Sequence, residues 1–174
     1  ELIRFEHLFF GDLDTPLDQL KSKFPYFFPS QTPDDIWEAK RTDSLQQALF
    51  KATQSLFKDD LKQRTSYVLR YANYYFPNDK LPSKVITLLT DVDYSLRAVD
   101  ADSLLLISID TYLGESHHLY NGIPQYIKNS LITEHLESEL IDALSDRYIV
   151  KTNSRSFLNR MVTHGKRLLL HDYL

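Results

Sequence analysis

The sequence predicts an α+β fold, namely a single, mostly helical domain with a small three-stranded sheet at about residues 84–110. Three observations support this prediction. Apolar residues recur at helical spacing on both sides of the middle of the chain, and the middle itself is rich in β-branched residues and leucine. The length of 174 residues is sufficient for one domain and short for two. Helices, then strands, then helices is an order typical of α+β domains.

The first half of the chain is predicted to be helical. Thr15 and Pro16 fit the N-cap and first position of a short helix, because proline lacks the N–H that a helix start leaves unpaired. The proline-rich segment 24–35 closes this helix. Further helical segments are expected at 34–40, 43–57 and 58–76.

The sheet is predicted from two apolar runs and the segment between them. Residues 84–92 and 102–110 are too short for helices of ordinary length and are bounded by polar turn residues. Residues 95–100 are expected to supply a middle strand. Because 102–110 is almost continuously apolar, at least one strand should be covered on both faces. We therefore expect a small antiparallel or mixed sheet.

Two long helices are predicted after the sheet. The helix at 131–149 places on one face Ile132, Leu136, Leu140, Ala143 and Leu144. The helix at 154–174 places on one face Phe157, Met161, Gly165, Leu168 and Leu169. A glycine inside a helix costs about 1 kcal/mol relative to alanine. We therefore expect Gly165 to mark a close crossing with another element.

Composition excludes several classes of function. The net charge is −4 with both signs interspersed, which argues against a nucleic-acid partner, since phosphate binding needs clustered Lys and Arg. No run approaches the roughly 18 apolar residues of a membrane span. The lack of cysteine excludes disulfides and thiolate metal sites. Because the chain begins at Glu1 and ends at Leu174 inside a predicted helix, we expect the domain, 1–174, to be truncated at both ends.

Two short stretches contain candidate metal ligands. His135, Glu139 and Asp142 follow i, i+4, i+7 spacing and share one helical face, so they could bind zinc or a harder cation. The favoured alternative is the solvated face of an amphipathic helix. Asp91 and Asp93 follow a predicted strand and could bind a divalent cation, although aspartates at such positions more often build the turn.

Residues 109–127, IDTYLGESHHLYNGIPQYI, have the polar density of a functional site. Adjacent side chains point in different directions in strands and in helices, so His117 and His118 are poorly placed to bind one metal. We predict a structural corner after a buried strand, with His117 as its member most suited to a functional role. The side chains expected to fasten the corner are Asp110, His117, Tyr120 and Tyr126.

Familiar catalytic motifs are absent from the sequence. It contains no H-E-x-x-H, no G-x-S-x-G, no Walker loop and no G-x-G-x-x-G. Without cysteine, a thiol nucleophile is excluded as well. No catalytic residue and no cofactor are therefore predicted.

Residues 86–127 resemble the gliding motility-associated lipoprotein GldB family. Its members carry an aspartate-rich turn, an apolar strand ending in L-D-x-Y-L-G, and then a His, a Tyr and a P-x-Y. RFEHLFF, KFPYFF and HGKRLLLHDYL resemble further family segments, so the match covers essentially the whole chain. The signature positions in this sequence are Asp110, Tyr112, Leu113, Gly114, His117, Tyr120, Pro124 and Tyr126.

The resemblance implies a lipid-anchored lipoprotein of the cell envelope that faces the periplasm. It further implies support of gliding motility and of the associated type IX protein secretion, by binding or assembling other envelope proteins. It implies a lipidated N-terminal cysteine, a further C-terminal segment, and membrane contact only through a lipid anchor outside this chain. The family is distantly similar to predicted zinc-dependent proteases, which implies a zincin-like (gluzincin-like) arrangement. Here TEHLE or EHLES stands where H-E-x-x-H would be.

Three hypotheses for function remain open. The first is the non-catalytic envelope lipoprotein, a protease-like scaffold without its metal. The second is a metal-dependent hydrolase or peptidase with an atypical site drawn from His117, His135, Glu139 and either Asp91 or Asp93. The third is a helical protein-interaction module whose long helices bind a partner.

Overall fold

The computed structural model describes residues 1–57, 60–150 and 156–174. These residues form a mostly helical α+β domain, as predicted. Short 3₁₀ turns accompany the regular elements, and a π-helical turn follows the first strand. The elements are β1 Leu2–Arg4, α1 Leu17–Lys23, α2 Asp34–Thr42, α3 Ser44–Thr53, α4 Leu61–Tyr75, β2 Lys84–Leu88, β3 Ala98–Ala101, β4 Leu104–Ser108, α5 Gln125–Lys128, α6 Leu136–Tyr148 and α7 Phe157–Tyr173.

The sheet has four strands in the order β1-β2-β4-β3, where three were predicted. β1, β2 and β4 are parallel, and β3 is antiparallel to β4. The prediction of a mixed sheet is confirmed, but the expected middle strand, β3, lies at the edge. β1 was not predicted, because its three residues are too few to show a periodic pattern. β1 and β2 are joined through α1–α4, in keeping with the crossover connection that parallel neighbours require.

The inner strands account for the strongly apolar runs. Val85, Ile86 and Thr87 are consecutive in β2 and all buried, so this strand is covered on both faces, as expected of at least one strand. Leu105 and Ile107 of β4 are also fully buried. The β4 strand continues directly into a 3₁₀ turn, Ile109–Tyr112, which is buried throughout.

Helix boundaries differ from the predictions at several ends. α3 stops at Thr53, whereas the pattern extended to 57, and its start is capped by Asp43, whose side chain accepts the N–H groups of Leu45 and Gln46 at 2.9 Å. The expected helix at 131–149 begins with a 3₁₀ turn, Thr133–His135, before α6. Residues 58–59 and 154–155, predicted as helical, lie outside the described residues.

α6 and α7 differ in which face they turn inward. Leu136, Leu140 and Leu144 of α6 are fully buried, as its pattern predicted. The predicted apolar face of α7 is exposed, and a Cβ at Gly165 would meet no atom within 4 Å. The close crossing expected at this glycine is therefore wrong for the described part of the chain. No helix among the described residues is both long and apolar enough to cross a membrane.

Candidate functional site

Asp110 is the centre of the corner that follows β4. Its side chain is fully buried, and its Oδ2 accepts the backbone N–H groups of Thr90 at 3.0 Å and Val92 at 2.7 Å. These bonds hold a turn in which Asp91 and Val92 both have φ of 59°, a left-handed conformation that non-glycine residues rarely adopt. Burial raises the pKa of the Asp110 carboxyl, although the two N–H bonds oppose the shift. The carboxylate therefore joins the end of β2 to the end of β4.

Tyr120 fastens the same corner from its other side. Its buried hydroxyl donates to the carbonyl oxygen of Asp110 at 2.8 Å and accepts the N–H of Leu113 at 2.9 Å. Gly114 then turns the chain at φ 98°, and its N–H donates to the carbonyl oxygen of Leu131 at 3.0 Å. Positive φ of this kind is accessible to glycine without steric cost. The bonds satisfy backbone groups that the corner would otherwise leave unpaired.

His117 has a local role in the backbone of the corner. Its Nδ1 accepts the N–H of Leu119 at 3.3 Å and so caps the 3₁₀ turn that contains Tyr120. The ring lies 4.6 Å from that of His118, and burial together with this neighbour lowers the pKa of His117. Tyr126, which was expected to help fasten the corner, is 77% exposed instead. Pro124 is the N-cap of α5.

Tyr112 lies where the corner meets the interior. Its ring is buried and packs at 5.6 Å, edge-on, against Phe57. Its hydroxyl has no hydrogen-bond partner in the part of the chain that the structure describes, and burial raises the pKa of Tyr112 to about 12. Beside it lies an open surface hollow of about 810 Å³, lined in part by His117 and Glu134. Four of the family-signature residues line this hollow, namely Tyr112, Leu113, Gly114 and His117.

The two candidate aspartates after β2 have separate structural roles. Asp91 pairs with the Lys40 ammonium at 3.1 Å and accepts the Gln46 amide at 2.6 Å. Asp93 accepts both the N–H and the hydroxyl of Ser95, which lowers the pKa of Asp93. Asp93 therefore builds the turn, as the pattern favoured, whereas Asp91 ties the turn to α2 and α3.

The candidates on α6 are likewise separated. His135 belongs to the 3₁₀ turn that precedes the helix, and Glu139 is ion-paired with Arg97. The third member of the helical pattern, Asp142, lies 3.1 Å from the Nε2 atom of His171 on α7. Across residues 1–57, 60–150 and 156–174, no group of three or more His, Asp or Glu side chains could hold a metal ion.

A cleft of about 660 Å³ lies along the contact between α6 and the outer strand β3. Arg97 pairs across it with Glu139, and Arg147 of α6 pairs with Asp100 of β3. The acidic residues lining the cleft outnumber the arginines: Asp100, Asp102, Glu139, Asp142 and Asp146 against Arg97, Arg147 and Arg167. Sequence reasoning missed this cleft, because its partners are 42 and 47 residues apart in the chain.

The outer edge of β3 presents free backbone groups to this cleft region. Ser108 donates its N–H to the carbonyl oxygen of Arg97 at 2.9 Å. Because hydrogen-bonded pairs alternate in an antiparallel ladder, Ala98 and Asp100 direct their N–H and C=O groups away from β4. Within the described residues, no backbone hydrogen bond reaches those groups. β3 is thus an open edge.

The fold and site define a mostly helical α+β domain with a buried, hydrogen-bonded corner, ion-paired acids on α6 and an open sheet edge. The family model for the gliding motility protein GldB matches residues 1–174, and the chain belongs to this family. Membership implies a gliding motility-associated lipoprotein, lipid-anchored at the cell envelope. No curated protein and no solved structure matches the chain. The zincin-like arrangement therefore stays a prediction.

Proposed function

We propose that this domain is a non-catalytic component of the cell envelope that supports gliding motility and the associated type IX protein secretion by binding another envelope protein. The domain would face the periplasm, and its partner would bind as an extended segment along β3. The open edge of β3 beside an acidic cleft is the observation that carries the binding role.

The pairing of the acids on α6 supports a non-catalytic role. α6 is the helix in which the family resemblance would place H-E-x-x-H. Glu137 accepts two hydrogen bonds from Arg64, both 2.5 Å long, and this contact lowers the pKa of Glu137. A carboxylate with a lowered pKa is a weak general base, and one held by a guanidinium is not free to activate water. Glu139 is ion-paired with Arg97.

Backbone geometry supports binding by strand addition. An exposed strand edge is a template for another strand, and an added segment would pair with the outward N–H and C=O groups of Ala98 and Asp100. The four-residue length of β3 limits the contact to a short segment. Because acids outnumber arginines in the adjoining cleft, the segment is expected to carry Lys or Arg.

Ala98→Pro tests strand addition directly. Proline removes the outward N–H of this residue and fixes its φ, and an edge strand tolerates proline where the N–H faces away from the ladder. In full-length protein, we expect normal protein level but reduced gliding and reduced cross-linking of a partner to a photo-reactive side chain at the exposed position 101. Ala98→Val, which keeps the N–H, is the matched control. Normal gliding and cross-linking of Ala98→Pro would contradict strand addition.

Metal analysis of chelator-free protein tests the competing hydrolase hypothesis. We expect no stoichiometric zinc in wild-type protein. Zinc bound at one equivalent and lost in His135→Ala would overturn the non-catalytic proposal, because His135 would then be a ligand. Partner cross-linking at exposed Leu158 of the long helix α7, and not at position 101, would favour the helical interaction module instead.

A further inference from the structure

α7 faces the rest of the domain with its polar side. Arg167 donates to Asp146 at 2.9 Å, and His171 lies 3.1 Å from Asp142, so both contacts with α6 are polar. Thr163 is half-buried on the same side. Apolar contact with the core is confined to the C-terminal end, where Leu170 packs against it and Leu174, which follows the helix, is buried in it. An amphipathic helix on a soluble domain ordinarily buries its apolar stripe. α7 is oriented the opposite way.

The outward side of α7 is an apolar stripe that runs the length of the helix. At 100° per residue its members fall within an arc of roughly 160°. Their side chains are between 48% and 77% exposed. Asp172 and Gly165 lie within the same arc. The members of this stripe are Phe157, Leu158, Met161, Val162, Leu168, Leu169 and Tyr173.

Tyrosines of α4 extend the stripe at one end. The ring of Tyr75 lies 5.0 Å from that of Tyr173, and the ring of Tyr74 lies 5.0 Å from that of Tyr75. Tyr74 is 76% exposed. Tyrosine has an apolar ring and a polar tip, which suits the boundary between lipid and water. The exposed apolar surface is therefore contributed by two helices.

The charges at the borders of the stripe are basic. Arg160 and Lys166 are exposed and lie on opposite borders of the arc, and His164 adjoins the border on the Arg160 side. Asp172 is the one acid in the sequence of α7. The chain as a whole has a net charge of −4, so this basic bias is local.

We propose that α7 is an interfacial helix that lies in the plane of an anionic lipid bilayer, with its apolar stripe among the acyl chains. An outward apolar face with basic borders is the pattern of such helices. The resemblance implies membrane contact only through a lipid anchor, which would bring the domain to the membrane. The contact inferred for α7 goes beyond that expectation. α7 would supply a second attachment and set the orientation of the domain. This inference does not depend on the partner proposed for β3.

Charge favours the bilayer over a second copy of the chain. Symmetric packing of two α7 stripes would bring the basic borders of one helix against those of the other. Anionic headgroups would neutralise the same residues.

Vesicle co-sedimentation of the full-length protein, with its lipid-attachment residue replaced so that no anchor is added, tests the proposal. We expect this protein to bind vesicles of phosphatidylcholine mixed with phosphatidylglycerol, more weakly to phosphatidylcholine alone, and less at high salt. The double change Leu168→Ser and Leu169→Ser should weaken binding about tenfold or more, because each leucine loses its transfer to the acyl region. The matched control is Ile36→Ser with Leu45→Ser, two similarly exposed residues on α2 and α3.

A fluorophore reports whether α7 itself enters the bilayer. These 174 residues contain no cysteine. Met161→Cys therefore introduces a single site among them that can be labelled with an environment-sensitive dye. Its emission should shift to the blue on mixed vesicles, whereas a dye at Leu45→Cys should not shift. Equal vesicle binding by the α7 double variant and the wild type would overturn the proposal. So would a soluble dimer, seen by light scattering, that the double variant abolishes.

Discussion

α6 and α7 have the same apolar periodicity in the sequence and opposite orientations in the structure. α6 buries Leu136, Leu140 and Leu144 completely and turns its acids to arginines of neighbouring elements. α7 turns Arg167 and His171 to α6 and leaves its apolar stripe exposed. Periodicity therefore determines that a helix has an apolar face, but not which surface that face meets.

The most severe test of this comparison is Leu140→Ala on α6. The side chain is fully buried in the core, so its truncation leaves a cavity and should lower the free energy of unfolding by about 2–5 kcal/mol. Chemical denaturation followed by circular dichroism measures the change. A loss below about 0.5 kcal/mol would mean that α6 does not pack on the core as the structure has it.

Tyr120→Phe tests the corner next to α6. It removes the hydroxyl that bonds both Leu113 and Asp110, and leaves the Leu113 N–H without a partner. We expect a loss of about 1–3 kcal/mol in unfolding free energy, since an unsatisfied buried donor costs its desolvation. Tyr126→Phe, at an exposed position of the same signature, is the control and should be neutral. Equal effects of the two variants would contradict the corner.

Asp110→Asn tests the corner through its pH dependence. Burial raises the pKa of Asp110 in the folded state above its ordinary value of 3.8. The folded state therefore holds its proton more tightly, and the stability from this group is fully present below pH 3.8 and lost as pH rises through the raised pKa. We expect Asp110→Asn to remove this loss. As pH rises from 3.8 through the raised pKa of Asp110, the unfolding free energy of the variant should therefore fall less than that of the wild type. Parallel pH profiles would contradict the raised pKa.

Leu168→Ala on α7 should have the smallest effect. The residue is 56% exposed, so the unfolding free energy in the absence of lipid should change by no more than about 0.5 kcal/mol. Leu140→Ala and Leu168→Ala both replace a leucine of a predicted apolar face. Under the same conditions, the difference between their losses of unfolding free energy therefore reports which of the two helices buries that face. A loss of several kcal/mol would show that the stripe of α7 is covered in solution.

Much of the corner could be predicted because its cause is local. A continuously apolar strand followed by Gly114, Gly122 and Pro124 indicates a buried strand and a turn. The structure has β4, a 3₁₀ turn and two glycines of positive φ in this segment. The exact fastening was less predictable: Asp110 and Tyr120 make the bonds, whereas Tyr126 is exposed.

The sequence by itself determined the α+β class, most of the helices, the two apolar strands and membership of the GldB family, because these follow from periodicity and from motifs read along the chain. Only the tertiary structure decided the pairing of β1 with β2, the position of β3 at the edge and the outward face of α7. Each of these depends on residues far apart in sequence, as in the pairing of Leu2 with Val85 that places β1 beside β2. Local patterns carry no information about such partners, because the free energy of the contact depends on the folded surface that the distant segment presents.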